Sequence, residues 1–306
     1  MLRSLRAEIA LVFGALAFAF SGIIAKLLLT SGLSAWRLAE IRATGAFLIL
    51  LIYVFVRKRA SLKASRTEIP LLALFGVIGF AAVQVGYFLA IARLHVSTAL
   101  IIEFTAPIWI VLYIRFVRKK FVPLLMWLSI AMGFSGLLLV AQVWQGMTLN
   151  GFGVLAAFLD ALAFAAYFLL GEKVNADRST DALAVWGLGF ASLAWAIVTP
   201  WWSFPIQVFN QKVNLLGALS HYTLPGWSLI LWIVVMGTIV PYLLVLYGLK
   251  ALSASTASII GMLEPIFAGI IAWWWLRETF SPIQLLGGVF VIVGIITADR
   301  ARRQTQ

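Results

Sequence analysis

Apolar runs long enough to cross a membrane follow one another along almost the whole chain. A spanning helix needs roughly 20 apolar residues, and ten runs in this sequence meet that requirement. Only 11% of the 306 residues are charged, whereas a soluble domain has about 25%. The pattern predicts an all-α integral membrane protein with ten transmembrane helices, at approximately 7–30, 34–56, 69–92, 96–116, 122–142, 151–173, 181–202, 226–250, 254–276 and 281–299.

The basic residues predict how these helices are oriented. They concentrate in alternate loops and at both termini, with clusters at 57–66 and 115–120, and cytoplasmic loops carry the excess of Lys and Arg in membrane proteins. We therefore expect both termini in the cytoplasm and the chain in a bacterial-type inner (plasma) membrane. The net charge of +12 does not indicate a nucleic-acid partner, because the basic residues are divided among short loops between apolar runs.

The sequence offers no recognisable chemistry for an enzyme. Cysteine is absent, which excludes a thiolate nucleophile and a cysteine metal site. His95 and His221 lie in or beside predicted loops, and no zinc spacing, phosphate-binding loop or Ser–His–Asp arrangement accompanies them. We expect no catalytic residue, no cofactor and no metal site.

Two of the apolar runs share an unusual feature, a proline near the middle. Proline is costly at the centre of a helix in hydrocarbon, because it frees the carbonyl four residues back. The runs are STALIIEFTAPIWIVLYIRFVRKK from Ser97 and STASIIGMLEPIFAGIIAWWWLRE from Ser255. They align without a gap on Ser-Thr-Ala and on Pro107 and Pro265, which predicts a duplicated membrane fold with its working site between the copies.

The duplication extends beyond this pair of runs. Gly79 matches Gly237 at the same separation, and the run Ala-Leu-Ala-Phe-Ala occurs once in each half. Each half then has five helices, and an odd number places the second half upside down in the membrane. We expect two inverted five-helix repeats, at residues 1–146 and 147–306; the alternative is chance similarity among apolar helices.

Motifs spread over nearly the whole chain also occur in an order typical of one transporter family. They are Arg42, the Ser-Thr-Ala segments 97–99 and 255–257, the run 263–267, Glu278, Gly287, Gly288 and Gly294. This combination resembles the EamA-type family of the drug/metabolite transporter superfamily. The resemblance implies two five-helix domains, and the aromatic-rich cavity helices look most like the YddG branch, which exports aromatic and other neutral amino acids.

The first half departs from the family pattern at two places. Lys119 and Lys120 stand where an acidic residue is usual, and Ala106 replaces the glutamate before the proline. Any role of Glu264, which precedes Pro265, therefore has no acidic counterpart in the first half.

One face of the third predicted helix carries Phe80, Gln84 and Tyr87, at positions i, i+4 and i+7. An unpaired amide facing lipid is costly, so we expect Gln84 to face a polar cavity or a hydrogen-bonding partner on a neighbouring helix. Its repeat mate, Tyr242, follows Pro241, which predicts a third broken helix.

The sixth predicted helix offers Asp160, Phe164 and Tyr167 at similar spacing. An ionisable residue inside a helix bundle is a functional candidate; solvation near the outer surface is the alternative for Asp160. Trp109, two residues past Pro107, is the tryptophan that we expect to line the cavity. For every one of these aromatic residues the alternative is core packing.

Glu103 and Glu264 lie near the middle of two spanning helices. A carboxyl group in hydrocarbon is expected to be neutral or paired. Both are candidates for proton coupling, and Glu264 is also a candidate for binding the amino group of a zwitterion; a hydrogen bond between helices is the structural alternative. Arg42 is expected to pair with backbone carbonyls or with Glu40.

These features predict a secondary transporter of small neutral and aromatic amino acids, working by alternating access at a midplane cavity. The internal duplication favours a monomer whose partners are a small-molecule substrate and membrane lipid. The alternatives are a proton-coupled multidrug or metabolite exporter and a non-transporting scaffold or lipid-interacting protein. The expected substrate-binding residues are Phe80, Gln84, Tyr87, Trp109, Phe164, Tyr167, Tyr242 and Glu264, with hinges at Pro107, Pro241 and Pro265 and candidate coupling residues Glu103, Asp160 and Glu264.

Overall fold

Helices make up most of the structure, a computed structural model that describes residues 2–94, 96–145, 150–175, 178–277 and 281–303. Within those residues, nine helical segments are long and apolar enough to cross a membrane, so the chain is a multi-pass membrane protein. The elements of its first part are α1 (Leu2–Thr30), α2 (Ala35–Lys58), α3 (Ile69–Gly76), α4 (Val83–Ile91), α5 (Val96–Glu103), α6 (Ala106–Leu112) and α7 (Leu124–Val140).

The second part of the chain has a matching series of helices and one small sheet. The helix predicted at 122–142, by contrast, is the 17-residue α7, which is shorter than the nine candidate spans in the described residues. His95, Glu278 and the predicted repeat boundary at 146 lie outside the described residues. The elements are α8 (Gly151–Val174), α9 (Thr180–Val198), β1 (Lys212–Asn214), β2 (Thr223–Pro225), α10 (Gly226–Val234), α11 (Val240–Gly248), α12 (Ala254–Gly261), α13 (Leu263–Ile271) and α14 (Pro282–Arg303).

Each of the three mid-helix prolines lies in the first turn of a new helical segment. Pro107 is in the first turn of α6, Pro241 in that of α11 and Pro265 in that of α13. Pro107 and Pro265 follow an interruption of the helix, so each removes no helical hydrogen bond, because its N–H would be unpaired there in any case. Pro241 follows the helical stretch Val235–Ile239 without a gap, so its missing N–H does remove a donor. Phe104 and Thr105 separate α5 from α6, and Met262 separates α12 from α13, so two of the predicted breaks are present. The third, at Pro241, is not a gap, because the helix runs from Gly226 to Gly248 through a π-helical stretch.

Four of the membrane helices contain a stretch of π-helix. The stretches are Val77–Ala82, Tyr113–Val117, Val235–Ile239 and Ala272–Leu276. The first and third start at the separation that relates Gly79 to Gly237, and the second and fourth start within one residue of it. At these four places the helices depart from regular α-helical geometry. Short π-helical stretches are frequent at functional sites.

The helices pack around α1 and α8. The first contacts α11, α12 and α13, and the second contacts α4, α5 and α6. On one side, α7 and α14 approach closely through small residues. A Cβ atom on Gly136 would lie 2.6 Å from the carbonyl oxygen of Gly287, and one on Gly294 would lie 2.8 Å from that of Ser129.

The stretch from Trp201 to Pro225, between α9 and α10, forms defined local structure. Short 3₁₀ turns lead into an antiparallel hairpin of β1 and β2, in which Val213 lies opposite Leu224. In the described part of the chain, this hairpin is the one departure from the all-helical prediction. We refer to the end of the molecule that carries it as the hairpin end.

Side chains from the membrane helices hold this stretch in place. The indole N–H of Trp275 donates to the carbonyl oxygen of Leu215 at 2.8 Å. Arg37, which is paired with Glu40 at 2.7 Å, also donates to the carbonyl oxygen of Ser203 at 3.0 Å. These contacts join residues far apart in sequence, which is why composition alone does not reveal them.

Candidate functional site

A small buried cavity, here called the inner chamber, lies where the broken helices meet α1, α2 and α8. Its volume is about 50 Å³, which is room for a water molecule or two rather than for an amino acid. Its walls combine aromatic rings with ionisable and amide groups. The lining residues are Phe18, Ser21, Gly22, Arg42, Gly79, Val83, Gln84, Tyr87, Glu103, Phe164, Tyr167, Tyr242 and Glu264.

A larger cavity, the outer chamber, continues from it towards the hairpin end. Its volume is about 320 Å³, within the range of small-molecule sites. The two chambers share four lining residues, Phe18, Gly22, Tyr87 and Glu264. Beyond them the outer chamber is lined by Ile23, Lys26, Leu100, Ile101, Leu137, Pro265, Leu276 and Gln284, among others.

The face of α1 that lines the chambers combines an aromatic ring with small and polar residues. Phe18, Ser21, Gly22 and Lys26 lie on it at helical spacing. A Cβ atom on Gly22 would lie 3.6 Å from the hydroxyl oxygen of Tyr87. The absence of a side chain at this position therefore leaves the passage between the chambers open.

Arg42 on α2 reaches the wall of the inner chamber through two hydrogen bonds to the π-helical stretch before α11. Its Nη2 donates to the carbonyl oxygen of Gly237 at 2.8 Å and its Nε donates to Oγ1 of Thr238 at 3.0 Å. Pro241 stands four residues after Gly237 and has no N–H to offer that carbonyl. The guanidinium thus supplies the donor that the proline removes. It also lies over the Phe88 ring, 5.4 Å from the centroid.

The expected partner of Gln84 is confirmed in part. Its Nε2 lies 3.5 Å from the hydroxyl of Tyr242, a long contact between the two residues that the repeat relates. Its Oε1 is buried and accepts no hydrogen bond from the described residues. The Gln84 amide lines the inner chamber with an acceptor available to a ligand.

Three carboxyl groups lie close enough to interact electrostatically around the inner chamber. Glu103 and Glu264 line it, and each interacts with Asp160. Arg42 is the cation that interacts with Glu264. Charge inside a low-dielectric bundle is costly unless it is neutralised, so this arrangement suits a proton or a ligand that carries both a cationic and an anionic group.

Asp160 is buried rather than solvated at the surface. It is 1% exposed, and a Cβ atom on Gly86 would lie only 2.7 Å from its Cβ. Neither carboxyl oxygen accepts a hydrogen bond from a described residue. Asp160 lines neither chamber, so its carboxyl group is enclosed by neighbouring helices.

An aromatic cluster closes the inner chamber towards the end opposite the hairpin. The rings of Phe80 and Tyr242 are 4.4 Å apart, and those of Phe80 and Tyr167 are 5.5 Å apart. Phe75 stacks on Tyr167 at 5.7 Å, and Phe164 lies on its other side at 6.3 Å. Phe75 and Phe80 are fully buried, so no open path continues past them.

The predicted substrate-binding residues therefore fall into three groups. Gln84, Tyr87, Phe164, Tyr167, Tyr242 and Glu264 line the inner chamber. Phe80 lies behind them in the aromatic cluster. Trp109 lines neither chamber; its ring lies 5.6 Å from that of Phe158, and its indole N–H donates to Oγ1 of Thr105 at 3.1 Å.

Sequence reasoning singled out no residue of α1 and favoured a structural role for Arg42. Phe18, Ser21, Gly22 and Lys26 occur in a helix that contains no proline and no acid in this region, so nothing in the pattern singled them out. Their i, i+3, i+4 and i+8 spacing was the available signal, because a lysine and a serine on one stripe of an apolar helix need a polar environment.

Comparison with known proteins places the chain among membrane transporters. The model of the EamA-like transporter family matches residues 5–142 and 151–298. The uncharacterized transporter YdfC of Bacillus subtilis is 27% identical over 93% of this chain and 87% of its own length. The pseudopaline exporter CntI of Pseudomonas aeruginosa is 25% identical over 83% of both chains. The threonine/homoserine exporter RhtA of Escherichia coli is 26% identical over 79% of this chain and 75% of its own.

A solved structure has the same fold over almost the entire chain. A protein crystal structure superposes with a TM-score of 0.74 at 15% identity and covers 98% of this chain and 99% of the other. At that identity the likeness concerns the fold alone.

Proposed function

Because the chain belongs to the EamA-like transporter family of the drug/metabolite transporter superfamily, we propose that it is a secondary transporter that exports small neutral and aromatic amino acids. The observation that carries this proposal is the placement of Arg42 and Glu264 on the wall of one buried chamber among aromatic rings. Opposite charges on the wall of one chamber suit the carboxylate and amino groups of a zwitterion.

Each polar group on the chamber wall has a role in this proposal. Arg42 uses Nε and Nη2 for Thr238 and Gly237, and its third nitrogen would bind the substrate carboxylate. Glu264 would bind the amino group, and Gln84 would donate or accept a further hydrogen bond. Phe18, Phe164 and Tyr242 would contact the substrate side chain.

Transport also requires that the site open to each side in turn. We infer ten spanning helices arranged as two inverted repeats, at residues 1–146 and 147–306, in which α7 is the short fifth span. The paired prolines and the paired π-helical stretches support this arrangement, because both recur at one separation along the chain. Pro107, Pro241 and Pro265 would act as hinges when one half rocks against the other.

The chambers represent one stage of such a cycle. The outer chamber leads to the hairpin end, and the aromatic cluster closes the other end. With both termini cytoplasmic in a bacterial-type inner membrane, as the distribution of Lys and Arg favours, this stage faces outwards. An inward-facing stage would require Phe80, Tyr167 and Tyr242 to separate. One chain contains both halves, so we propose a monomer as the transporting unit.

The relatives differ in what their names say they export. RhtA is a threonine/homoserine exporter and CntI a pseudopaline exporter, so the family does not fix one substrate. We favour neutral and aromatic amino acids, the substrates of the YddG branch, because aromatic rings surround the charged pair in the inner chamber. The 50 Å³ chamber would have to widen as substrate enters from the outer chamber.

A second candidate function is proton-coupled export of drugs or metabolites. The observation that favours it is the cluster of Glu103, Asp160 and Glu264, since buried carboxyl groups commonly carry protons in transporters. The third candidate, a scaffold or lipid-interacting protein without transport, has less support, because a packed scaffold has no need of charged residues around a buried chamber.

Purified protein in proteoliposomes tests the proposed function. We expect saturable movement of labelled threonine, methionine or phenylalanine, with each amino acid competing with the others. Protein that keeps its thermal unfolding transition yet moves none of the three would overturn the amino-acid assignment. Movement only when a pH gradient is imposed would favour the proton-coupled alternative.

A further inference from the structure

A groove between α2 and α9 faces the membrane and shares no lining residue with either chamber. Its volume is about 300 Å³. The helical spacing of Phe47 and Leu51 puts both on one face of α2. Gly189 on α9 makes room for the ring of Phe47, since a Cβ atom there would lie 2.9 Å from it. The remaining walls are also apolar, formed by Leu62, Val185, Trp186, Phe190 and Leu193.

The groove ends at Leu62, where a cationic pocket begins. Leu62 lines both cavities, and the pocket is otherwise lined by Phe55, Arg59, Ala60 and Lys63. The indole N–H of Trp186 donates to the carbonyl oxygen of Leu62 at 3.2 Å, which fixes the junction. The guanidinium of Arg59 lies over the Phe55 ring at 4.8 Å, so an apolar wall adjoins an exposed charge.

The nearby acids do not neutralise this pocket, because each already has a partner. Asp181 pairs with Lys58 at 2.5 Å, and Glu68 pairs with Arg178 at 2.9 Å. Arg59 and Lys63 form no salt bridge with any described residue. Two exposed cations at the membrane end of an apolar groove match a ligand with an anionic head and a long apolar tail.

We propose that the groove and the pocket together bind one anionic phospholipid, with its phosphate between Arg59 and Lys63 and one acyl chain in the groove. At 1.5 Å per residue, Phe47 lies roughly 20 Å along the chain from Leu62, enough to cross one leaflet of a hydrocarbon core about 30 Å thick. The acyl chain moves from lipid into an apolar groove, so its transfer contributes little binding free energy. Selection therefore depends on the head group, since basic pockets between membrane helices attract anionic lipid heads.

Native mass spectrometry of the full chain, released from detergent with added lipid, tests the head-group site. We expect phosphatidylglycerol to be retained more strongly than phosphatidylcholine. The double substitution Arg59→Gln and Lys63→Gln should lower retention of phosphatidylglycerol about tenfold or more, because each cation near a membrane surface contributes roughly fivefold. The matched control is Arg57→Gln with Arg66→Gln, which removes the same charge from residues that line neither cavity; it should change retention little.

A second pair of variants tests the groove. Leu193→Gln places a polar side chain on its wall, whereas Ile197→Gln does so one turn further along α9, outside it. Both positions are exposed, at 54% and 77%, so neither change should disturb the core. We expect only Leu193→Gln to weaken retention.

Several outcomes would overturn the lipid site. One is equal retention of the two lipids. Another is an equal loss of phosphatidylglycerol retention in the double variant and in its matched control. The third is displacement of the lipid by soluble glycerol phosphate, which would indicate a phosphate site without an acyl chain. A thermal unfolding curve for each variant identifies any that fails to fold. If Arg59→Gln with Lys63→Gln does not fold, the Leu193→Gln and Ile197→Gln comparison still decides the outcome.

Discussion

Arg42 donates a hydrogen bond of 2.8 Å to the carbonyl oxygen of Gly237, four residues before Pro241. The proline cannot supply the N–H that a regular helix would place there. A buried carbonyl without a donor is destabilising. The guanidinium supplies a donor to this carbonyl, and the same hydrogen bond holds the guanidinium at the chamber wall. One side chain therefore links the break in the helix to the candidate site.

This link predicts coupling between substitutions at positions 42 and 241. Arg42→Gln should lower stability by about 1–3 kcal/mol, because it leaves a buried carbonyl without its donor. Pro241→Ala restores an N–H at position 241 that can donate to Gly237. In the double variant we therefore expect a smaller loss than the sum of the two single changes. Thermal unfolding of all four proteins in one detergent measures this; additive effects would contradict the proposed role of Arg42.

The passage between the chambers predicts a steric block at Gly22. A Cβ atom there would meet the Tyr87 hydroxyl at 3.6 Å, an ordinary contact, so Gly22→Ala should keep most transport. Gly22→Leu should abolish transport in proteoliposomes with an unchanged unfolding temperature, because its side chain extends into the shared part of the chambers. Full transport by Gly22→Leu would mean that substrate takes another path.

The proposed binding of the amino group predicts the effect of removing the charge of Glu264. Glu264→Gln keeps the size and one hydrogen bond but should weaken binding of amino acids about tenfold or more, since hydrogen bonds to charged groups contribute about 1.5–3 kcal/mol. Competition against a labelled substrate measures the change. Unchanged affinity together with lost response to a pH gradient would instead favour proton coupling.

The aromatic cluster predicts different results for two tyrosine hydroxyls. The hydroxyl of Tyr167 has no hydrogen-bond partner among the described residues and is 1% exposed. Tyr167→Phe should therefore leave the unfolding temperature unchanged or raise it, since removing an unsatisfied buried polar group costs nothing. Tyr242→Phe removes the partner of Gln84 and should lower stability by about 1 kcal/mol. The reverse order would show that Tyr167 has a partner such as bound water.

Outside the spanning helices, the loop before α3 predicts a pH dependence. The backbone N–H and the hydroxyl of Ser65 both donate to Glu68 at 2.7 Å, and Arg178 pairs with it at 2.9 Å, which lowers the pKa of Glu68 to about 2. Because the pKa of Glu68 is lower in the folded state, the ionised carboxylate stabilises the protein at pH values above its ordinary pKa. This contribution is lost as the pH falls towards 2.

Glu68→Gln should therefore lower the unfolding temperature by the same small amount from pH 7 to about 5. Below about 4.5 the difference from the unsubstituted protein should shrink. Thermal unfolding across this pH range measures it. Arg178→Gln should act in the same direction, and a difference that grows at low pH would contradict the assigned interactions.

Much of the fold followed from the pattern of residues. Apolar length predicted the helices, and helices are interrupted just before Pro107 and Pro265, because the missing N–H of proline acts locally. At Pro241 the helix continues through a π-helical stretch instead. α9 ends at Val198 rather than at the predicted 202 because Pro200 lies two residues on. The sequence also predicted Gln84 and Tyr242 at one site, and both line the inner chamber.

Other parts depended on contacts between distant residues. Trp109 was expected at the chamber because it follows Pro107, yet its indole turns to Phe158 and Thr105. The mixed aromatic and polar composition of 201–225 predicts no defined structure, but Trp275 and Arg37 anchor this stretch. The orientation of an aromatic side chain depends on which neighbouring helix packs beside it. Helix periodicity alone does not determine that neighbour.

The sequence by itself therefore determined that the chain lies in a membrane, where its helices begin and break, and which family it resembles. These properties depend on hydrophobic length and on local backbone chemistry. Only the tertiary structure decided that Arg42 donates to the carbonyl of Gly237, which Pro241 cannot do, and which residues of α1 line the chambers. It also decided that Asp160 is buried. Each of these depends on how helices distant in sequence pack, because a polar group in a bundle takes its partner from whichever neighbouring helix presents one.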